Sequence, residues 1–249
     1  MFTKKINQKF FKNWSSNMAY VLGYISADGC ISEDKNRKNN PFTLNITSKD
    51  LKHLYKIRKA LDSEHKISKK LGGSGNTNYQ FQTRNPVITN DLIKLGITPR
   101  KTFRLKPLKI PNKYFSDFVR GFFDGDGSVY IYKVNNTPQV KVAFVGASLP
   151  FIANINQQIC KQIGVPQKSV HKQDSLKRKN RKTQYAINFY VNDCAKLYEF
   201  MYKNKPELYL NRKHQIFKRW ETIERRHYKK QNYPSKIGWH LNKKLCSQI

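Results

Sequence analysis

The chain has 249 residues, with 48 Lys and Arg against 16 Asp and Glu, a formal net charge of +32. A compact surface of that charge repels itself unless an anionic partner balances it, and the usual partner is nucleic acid, where each phosphate contact releases a counterion. A disordered basic tail is excluded by 38 % apolar and 13 % aromatic residues spread along the chain, and a membrane span by the lack of any apolar run near the roughly 20 residues required. The N-terminal stretch has basic residues but no apolar signal segment, so a soluble, intracellular protein is expected, in cytoplasm, nucleoid or organelle. No basic amphipathic helix stands out to bind an anionic membrane. Cys30, Cys160, Cys194 and Cys246 lie far apart, and the six histidines show no ligand-like spacing, so free thiols and no zinc site are expected.

The first predicted helix starts after Ser15, a good N-cap, with Met18, Val21, Leu22 and Ile25 on one face. Two β-rich segments follow, near Gly29–Ser32 and Phe42–Ser48, and then helical spacing over Asp50–Leu61. Ile67–Leu71 and Tyr79–Arg84 alternate like strands, the second with Tyr79, Phe81 and Thr83 on one side and Gln80, Gln82 and Arg84 on the other. Pro86–Leu95 reads as a third helix, stopped by Gly96 and Pro99, and Thr98–Pro111 as a linker. The scheme restarts at Asn112.

The restart is a repeat. Tyr20-Val-Leu-Gly-Tyr-Ile-Ser-Ala-Asp-Gly29 aligns with Phe118-Val-Arg-Gly-Phe-Phe-Asp-Gly-Asp-Gly127 at an offset of 98, which is 126 − 28. Tyr79–Thr83 is echoed by Tyr185–Phe189, and Pro99-Arg100-Lys101 by Asn211-Arg212-Lys213. Two copies are too few for a solenoid, so the expected fold is α+β, a pseudo-twofold pair of αββαββα halves. The expected division is 1–107, 108–220 and a basic tail at 221–249 with no echo in the first half.

Each signature ends an apolar helix and places small residues four apart, Gly23 with Ala27 and Gly121 with Gly125. Small residues at that spacing share a helix face and let two backbones approach closely. If these faces meet, Asp28 and Asp126 come side by side at the negative ends of two helix dipoles. Bare carboxylates oppose one another there, and divalent cations relieve the conflict. Two oxygen-ligated cations are also what in-line attack of water on a phosphodiester needs. Other readings of Asp124-Gly-Asp-Gly-Ser128 stand beside this one. An EF-hand fails, with Val129 at the sixth position and Asn135 at the twelfth. A phosphatase nucleophile fits locally but leaves the first copy unexplained, and both acids could simply cap turns in a scaffold.

The two segments resemble the paired motifs of LAGLIDADG homing endonucleases, and the resemblance runs from about Met18 to Trp220. It implies antiparallel saddle-shaped sheets gripping a long DNA site, motif helices above the minor groove, and double-strand cuts with short 3′ overhangs. It also implies a metal at Asp28 and Asp126, with Ala27 and Gly125 as further ligands, the metal being Mg²⁺, with Mn²⁺ as a substitute and Ca²⁺ supporting binding alone. The earlier acid of each motif falls on Ser26 and Asp124 and is not the metal position. Lys101 and Lys213, with Arg100 and Arg212 next to them, would sit near the scissile phosphates. Base readout is expected from Thr43, Asn45, Thr47, Lys70, Gln80, Gln82, Arg84, Lys141 and Asn188, whose types suit base edges. The basic loops Lys35–Lys38 and Lys177–Lys182 suit phosphates, and Arg225, Arg226, Lys229 and Lys230 could add to them. With both motifs in one chain, a monomer on a non-palindromic duplex is expected, with no membrane and no small-molecule cofactor. The competing function is nucleic-acid binding without cleavage, as an intron maturase or a transcription regulator.

Overall fold

The computed structural model describes residues 4–71, 75–173 and 183–230, with side chains to 223 in the last helix. The run Lys177–Lys182, the glycines at 72 and 73, Cys246, and the side chains of Arg225, Arg226, Lys229 and Lys230 lie outside that description.

The first half is α1 (Ser16–Asp28), β1 (Gly29–Glu33), β2 (Phe42–Ser48), α2 (Leu51–Ala60), β3 (Ile67–Leu71), β4 (Thr77–Thr83) and α3 (Pro86–Lys94). A short 3-10 turn at Lys101–Phe103 lies in the expected linker. The second half repeats the order as α4 (Asn112–Asp126), β5 (Gly127–Val134), β6 (Thr137–Gly146), α5 (Leu149–Ile163), β7 (His171–Gln173), β8 (Gln184–Tyr190) and α6 (Val191–Tyr202). One more helix, α7 (Asn211–Lys230), continues without a break past position 220.

Local chemistry sets the helix ends. Ser15 Oγ accepts from the Met18 amide at 3.1 Å. Asn85 caps α3 through Val87 and Ile88 at 3.0 and 3.2 Å, with Pro86 in the first turn, where its missing N–H costs nothing. Asp50 precedes α2 but makes no side-chain cap; its carboxylate turns instead to Arg212 at 3.1 Å.

Each half forms one antiparallel four-stranded sheet, in the orders β1-β2-β4-β3 and β5-β6-β8-β7. Ser48 lies opposite Tyr79 in the first sheet, and Gly146 opposite Tyr185 in the second. The offset of 98 found in the motifs therefore holds into β2 and β6 (146 − 48) and has grown to 106 at β4 and β8 (185 − 79). Alternation sends Leu44, Ile46 and Phe81 inward from one sheet, and Val140, Val142, Phe144, Ile187 and Phe189 from the other. The helices cover those inner faces. α1 is buried from Met18 to Ser26 without a polar stripe, because sheet lies on one side of it and α4 on the other. Arg120, on α4, is 2 % exposed and ties the helix to Asp117 at 2.7 Å and to the carbonyls of Met201 and Leu208 at 2.8 and 2.9 Å. Cys160 and Cys194 are buried free thiols, and Cys30 is an exposed one. No helix among the described residues is long and apolar enough to cross a membrane.

Candidate functional site

The two motif helices cross at their glycines. A methyl group added to Gly23 would overlap the Phe118 carbonyl oxygen, and one added to Gly121 would overlap the Tyr20 carbonyl oxygen. Tyr20 and Phe118 are equivalent positions, so the contact obeys the pseudo-twofold relation of the halves. Nearer the helix ends, Gly125 faces the Ala27 methyl group, leaving no room for a larger pair. The spacing of small residues thus brings α1 and α4 together where backbone must touch backbone.

The crossing delivers Asp28 and Asp126 to one place. Burial pushes the Asp126 carboxyl up to about 6, and Asp28 adds to the rise against the pull of Lys101 and Lys213. Asp126 keeps an exposed edge, so solvent screens part of that repulsion. Asp28 is raised by burial too, opposed by the Tyr24 hydroxyl and then by Lys213, Lys101 and Arg212. Beneath each acid lies a buried lysine, 7 % exposed at Lys101 and 4 % at Lys213. Lys101 Nζ donates to the carbonyls of Ser26 and Ala27 at 2.6 and 3.2 Å, at the end of α1. Lys213 Nζ donates to Phe123, Asp124 and Gly127 at 2.6, 2.8 and 2.6 Å and reaches Gly125 at 3.4 Å, at the end of α4. A cation on the last carbonyls of a helix neutralises the negative end of its dipole. Burial lowers both lysines, Lys213 to about 8. Each lysine holds the helix of its own half, yet acts more strongly on the acid of the other: Asp126 responds first to Lys101, and Asp28 to Lys213.

These residues fit a hard divalent cation. The facing groups are two carboxylates, oxygen donors whose repulsion a cation would remove. Among the described residues no group of three or more His, Cys, Asp or Glu could hold a metal. A hard cation of the Mg²⁺ kind takes one or two carboxylates and completes its shell with water and substrate phosphate. The carbonyls of Ala27 and Gly125 sit beside the acids but already receive the two longer lysine contacts. The exposed side chains of Arg100 and Arg212 differ from one another. Arg100 adopts a left-handed backbone at φ 57°, whereas Arg212 is paired with Asp50 at the mouth of a 470 Å³ pocket that also carries Lys49, Lys52 and Lys56.

Asp124 plays a different part from Asp126. It is 1 % exposed, and its Oδ2 accepts from the Tyr20 hydroxyl at 2.6 Å and the Leu210 amide at 2.7 Å. Burial raises it to about 6. Tyr20 in turn meets His53 Nε2 at 3.0 Å. The network joins α1, α2, α4 and the start of α7, and the earlier acid of the motif is internal. Its counterpart Ser26 is also buried and donates to the Leu22 carbonyl at 2.8 Å. Nothing in the spacing of His53 or Tyr20 advertised this network, because its members come from four separate elements.

The outer faces of the sheets collect most residues expected to read bases. In the first, Asn45 lies opposite Gln82, Thr47 opposite Gln80, and Lys70 opposite Asn78, all on the face away from the core with Thr43 and Arg84. Thr43 is only 5 % exposed and accepts from Arg84 Nε at 3.3 Å, so it supports its neighbour more than it offers itself. In the second, Lys141 lies opposite Tyr190 and Tyr130, and Asn188 opposite Ala143. Tyr130 and Tyr190 are exposed, and Lys141 Nζ sits 6.0 and 5.6 Å from their ring centres. These tyrosines, with Tyr132 and Gln139 on the same face, were missed as surface residues. The alternation Ser128, Tyr130, Tyr132 was the available signal, hidden because tyrosine reads equally well as core.

Residues 15–101 match the LAGLIDADG-like domain family. No curated protein matches the chain. Among solved structures, the LAGLIDADG homing endonuclease I-GzeII in complex with its DNA target superposes with a TM-score of 0.53 at 13 % identity, covering 90 % of this chain and 94 % of that one. The meganuclease I-AabMI bound to uncleaved DNA gives 0.53 at 12 % identity, over 84 % and 91 %. I-SmaMI bound to an uncleaved DNA target in the presence of calcium ions gives 0.53 at 13 % identity, over 89 % and 95 %. The chain therefore has the fold of the LAGLIDADG homing endonucleases, with both motifs in a single polypeptide. Its first half matches the LAGLIDADG-like domain model in sequence, and its second half repeats the fold of the first.

Proposed function

We propose that this protein is a site-specific endonuclease that makes metal-dependent double-strand breaks with short 3′ overhangs in a long, non-palindromic DNA site inside the cell. The observation that carries the reading is the pair Asp28 and Asp126, set side by side by a glycine-tight helix crossing and underlain by Lys101 and Lys213. A scaffold with no chemistry to perform gains nothing from opposing two carboxylates at two helix C-termini, where the dipoles disfavour them. A divalent cation, Mg²⁺ or Mn²⁺, would polarise water and the scissile phosphate there. The chain's own part is to hold the two carboxylates close and to fix the helix ends through the two lysines, whose charge opposes the rise that burial imposes on the acids. The outer faces of the sheets present amide, hydroxyl, lysine and tyrosine side chains to base edges. A monomer of 29.3 kDa supplies both halves of the grip.

The retained acids favour cleavage over the non-cleaving alternative, a maturase or regulator. The test is a randomised duplex library incubated with the protein and Mg²⁺, the cut ends being captured and sequenced. Cut ends sharing one long asymmetric sequence, absent when EDTA replaces the metal, support the reading. Ends that appear equally in EDTA, or duplexes bound but never cut, contradict it.

A further inference from the structure

Among the outward residues of the first sheet, Asn45 differs from its neighbours in having no hydrogen-bonding capacity left over. Its Oδ1 accepts from Gln82 Nε2 at 2.9 Å and from Gln80 Nε2 at 3.2 Å. Its Nδ2 donates to Ser32 Oγ at 3.2 Å and to the Thr43 carbonyl at 3.3 Å. An amide offers two lone pairs and two N–H donors, and all four are engaged. Gln80 and Gln82 are in the opposite position. Each gives one N–H to Asn45, and in these bonds each keeps its other N–H and its Oε1. A free N–H beside a free carbonyl oxygen is the pair that binds adenine, donating to N7 and accepting from N6.

We propose that Asn45 is a positioning residue rather than a base reader, and that it aims Gln80 and Gln82 together at two adenines in the half-site under the first sheet. The inference rests on the sheet faces contacting DNA, as proposed above. A glutamine side chain on an open strand face has several rotamers, and ordering one on binding costs affinity. Sharing the Asn45 oxygen fixes both side chains beforehand and in the same sense. Gln80 and Gln82 are two residues apart on one strand, about 6.8 Å at the rise of antiparallel strand, or about two base steps. Among its described residues the second sheet has no such hub. Ala143 occupies the position equivalent to Asn45, opposite Asn188 and Ser128, and that face offers Tyr130, Tyr190 and Lys141 instead.

The experiment is selection of bound duplexes from a random pool by the full-length protein without divalent cation, compared among wild type, Gln80→Ala, Gln82→Ala, Asn45→Ala and Asn45→Asp. Urea melting of each variant shows whether it folds. Wild type should select two adenine positions about two steps apart, each by about fivefold or more. Gln80→Ala and Gln82→Ala should each erase one of them. Asn45→Ala should weaken both at once and erase no third position. Asn45→Asp keeps the shared acceptor, so it should retain both preferences while lowering overall affinity. If Asn45→Ala erases a position of its own and leaves the other two intact, Asn45 reads a base and the proposal is wrong. Preference for bases other than adenine at the glutamine positions overturns it as well. A pool that is never enriched by the wild type removes the DNA-binding reading itself, and the proposal with it.

Discussion

Replacing Gly121 by alanine should damage the active centre from a distance. The added Cβ would overlap the Tyr20 carbonyl oxygen and lie 2.9 Å from both the Tyr20 carbonyl carbon and the Tyr24 nitrogen. Ordinary contacts between carbon atoms are about 3.5–4.0 Å, so α1 and α4 must part by about 1 Å. The obstructing atoms are backbone in the buried stretch of α1 and cannot rotate aside. Overpacking of this kind costs about 1–3 kcal/mol, and the immovable backbone places this case at the upper end. A misplacement of about 1 Å at reacting groups lowers rates about 100-fold. The control is Gly146→Ala, whose Cβ has side-chain atoms as its nearest neighbours, Ile152 at 2.9 and 3.1 Å, which can turn away, and Phe122 at 3.9 Å. Urea denaturation and single-turnover cleavage of the selected site would measure both effects. If Gly121→Ala were as stable as wild type and cut within about twofold of its rate, the glycine crossing would not be what sets the acids together.

The two lysines should differ in their structural weight. Lys213→Met strands the carbonyls of Asp124 and Gly127 and leaves that of Phe123 only the Gly127 amide, whereas Lys101→Met strands chiefly that of Ser26. Buried acceptors left without a donor cost about 1–3 kcal/mol each, so Lys213→Met should lower stability about 3 kcal/mol and clearly more than Lys101→Met, a ranking that melting curves would check. Burial lowers His53 to about 4, so its neutral form is favoured in the folded state. That stability is present above the ordinary pKa near 6.5 and is lost as pH falls through about 4, amounting to about 3 kcal/mol at most. The raised Asp124 and Asp126 change stability in the opposite sense on acidification, so the measured quantity is the difference between wild type and His53→Gln across pH 7 to 4; parallel curves would refute the assignment. Affinity for duplex DNA should fall about 10³-fold between about 50 and 200 mM salt if six phosphates are contacted, and a flat dependence would separate the charge from DNA binding.

The repeat was legible in the sequence because it is written in backbone chemistry. Gly23 and Gly121 are where two helices touch, and no other residue fits there, so the motif announces its own packing. Strand faces were legible where polar and apolar residues alternate cleanly, as in Tyr79–Arg84. They were not where tyrosine occupies both kinds of position, as in Tyr130 and Tyr190. The family resemblance and the repeat put the lysines near the scissile phosphates, but their manner of acting was not legible. Lys101 and Lys213 are buried under the acids and bonded to helix carbonyls, a role that depends on three-dimensional closure over 75 and 90 residues. The Tyr20–Asp124–His53 network was invisible for the same reason, being assembled across both halves. Asn45 lies on the outer face of its strand, as its alternation with Leu44 and Ile46 implies, but its saturation by Gln80 and Gln82 follows from strand register, which the sequence does not print.

The most direct test of the account is cutting of one selected duplex in Mg²⁺ by wild type, Asp28→Asn and Asp126→Asn, with binding measured alongside. Each substitution keeps the shape of the side chain and removes the charge that would hold a cation. Both variants should bind the duplex with nearly unchanged affinity and lose double-strand cleavage by about 10³-fold or more, the several kcal/mol that metal assistance supplies. Cleavage at the wild-type rate by either variant would contradict the claim that these two carboxylates form the catalytic centre.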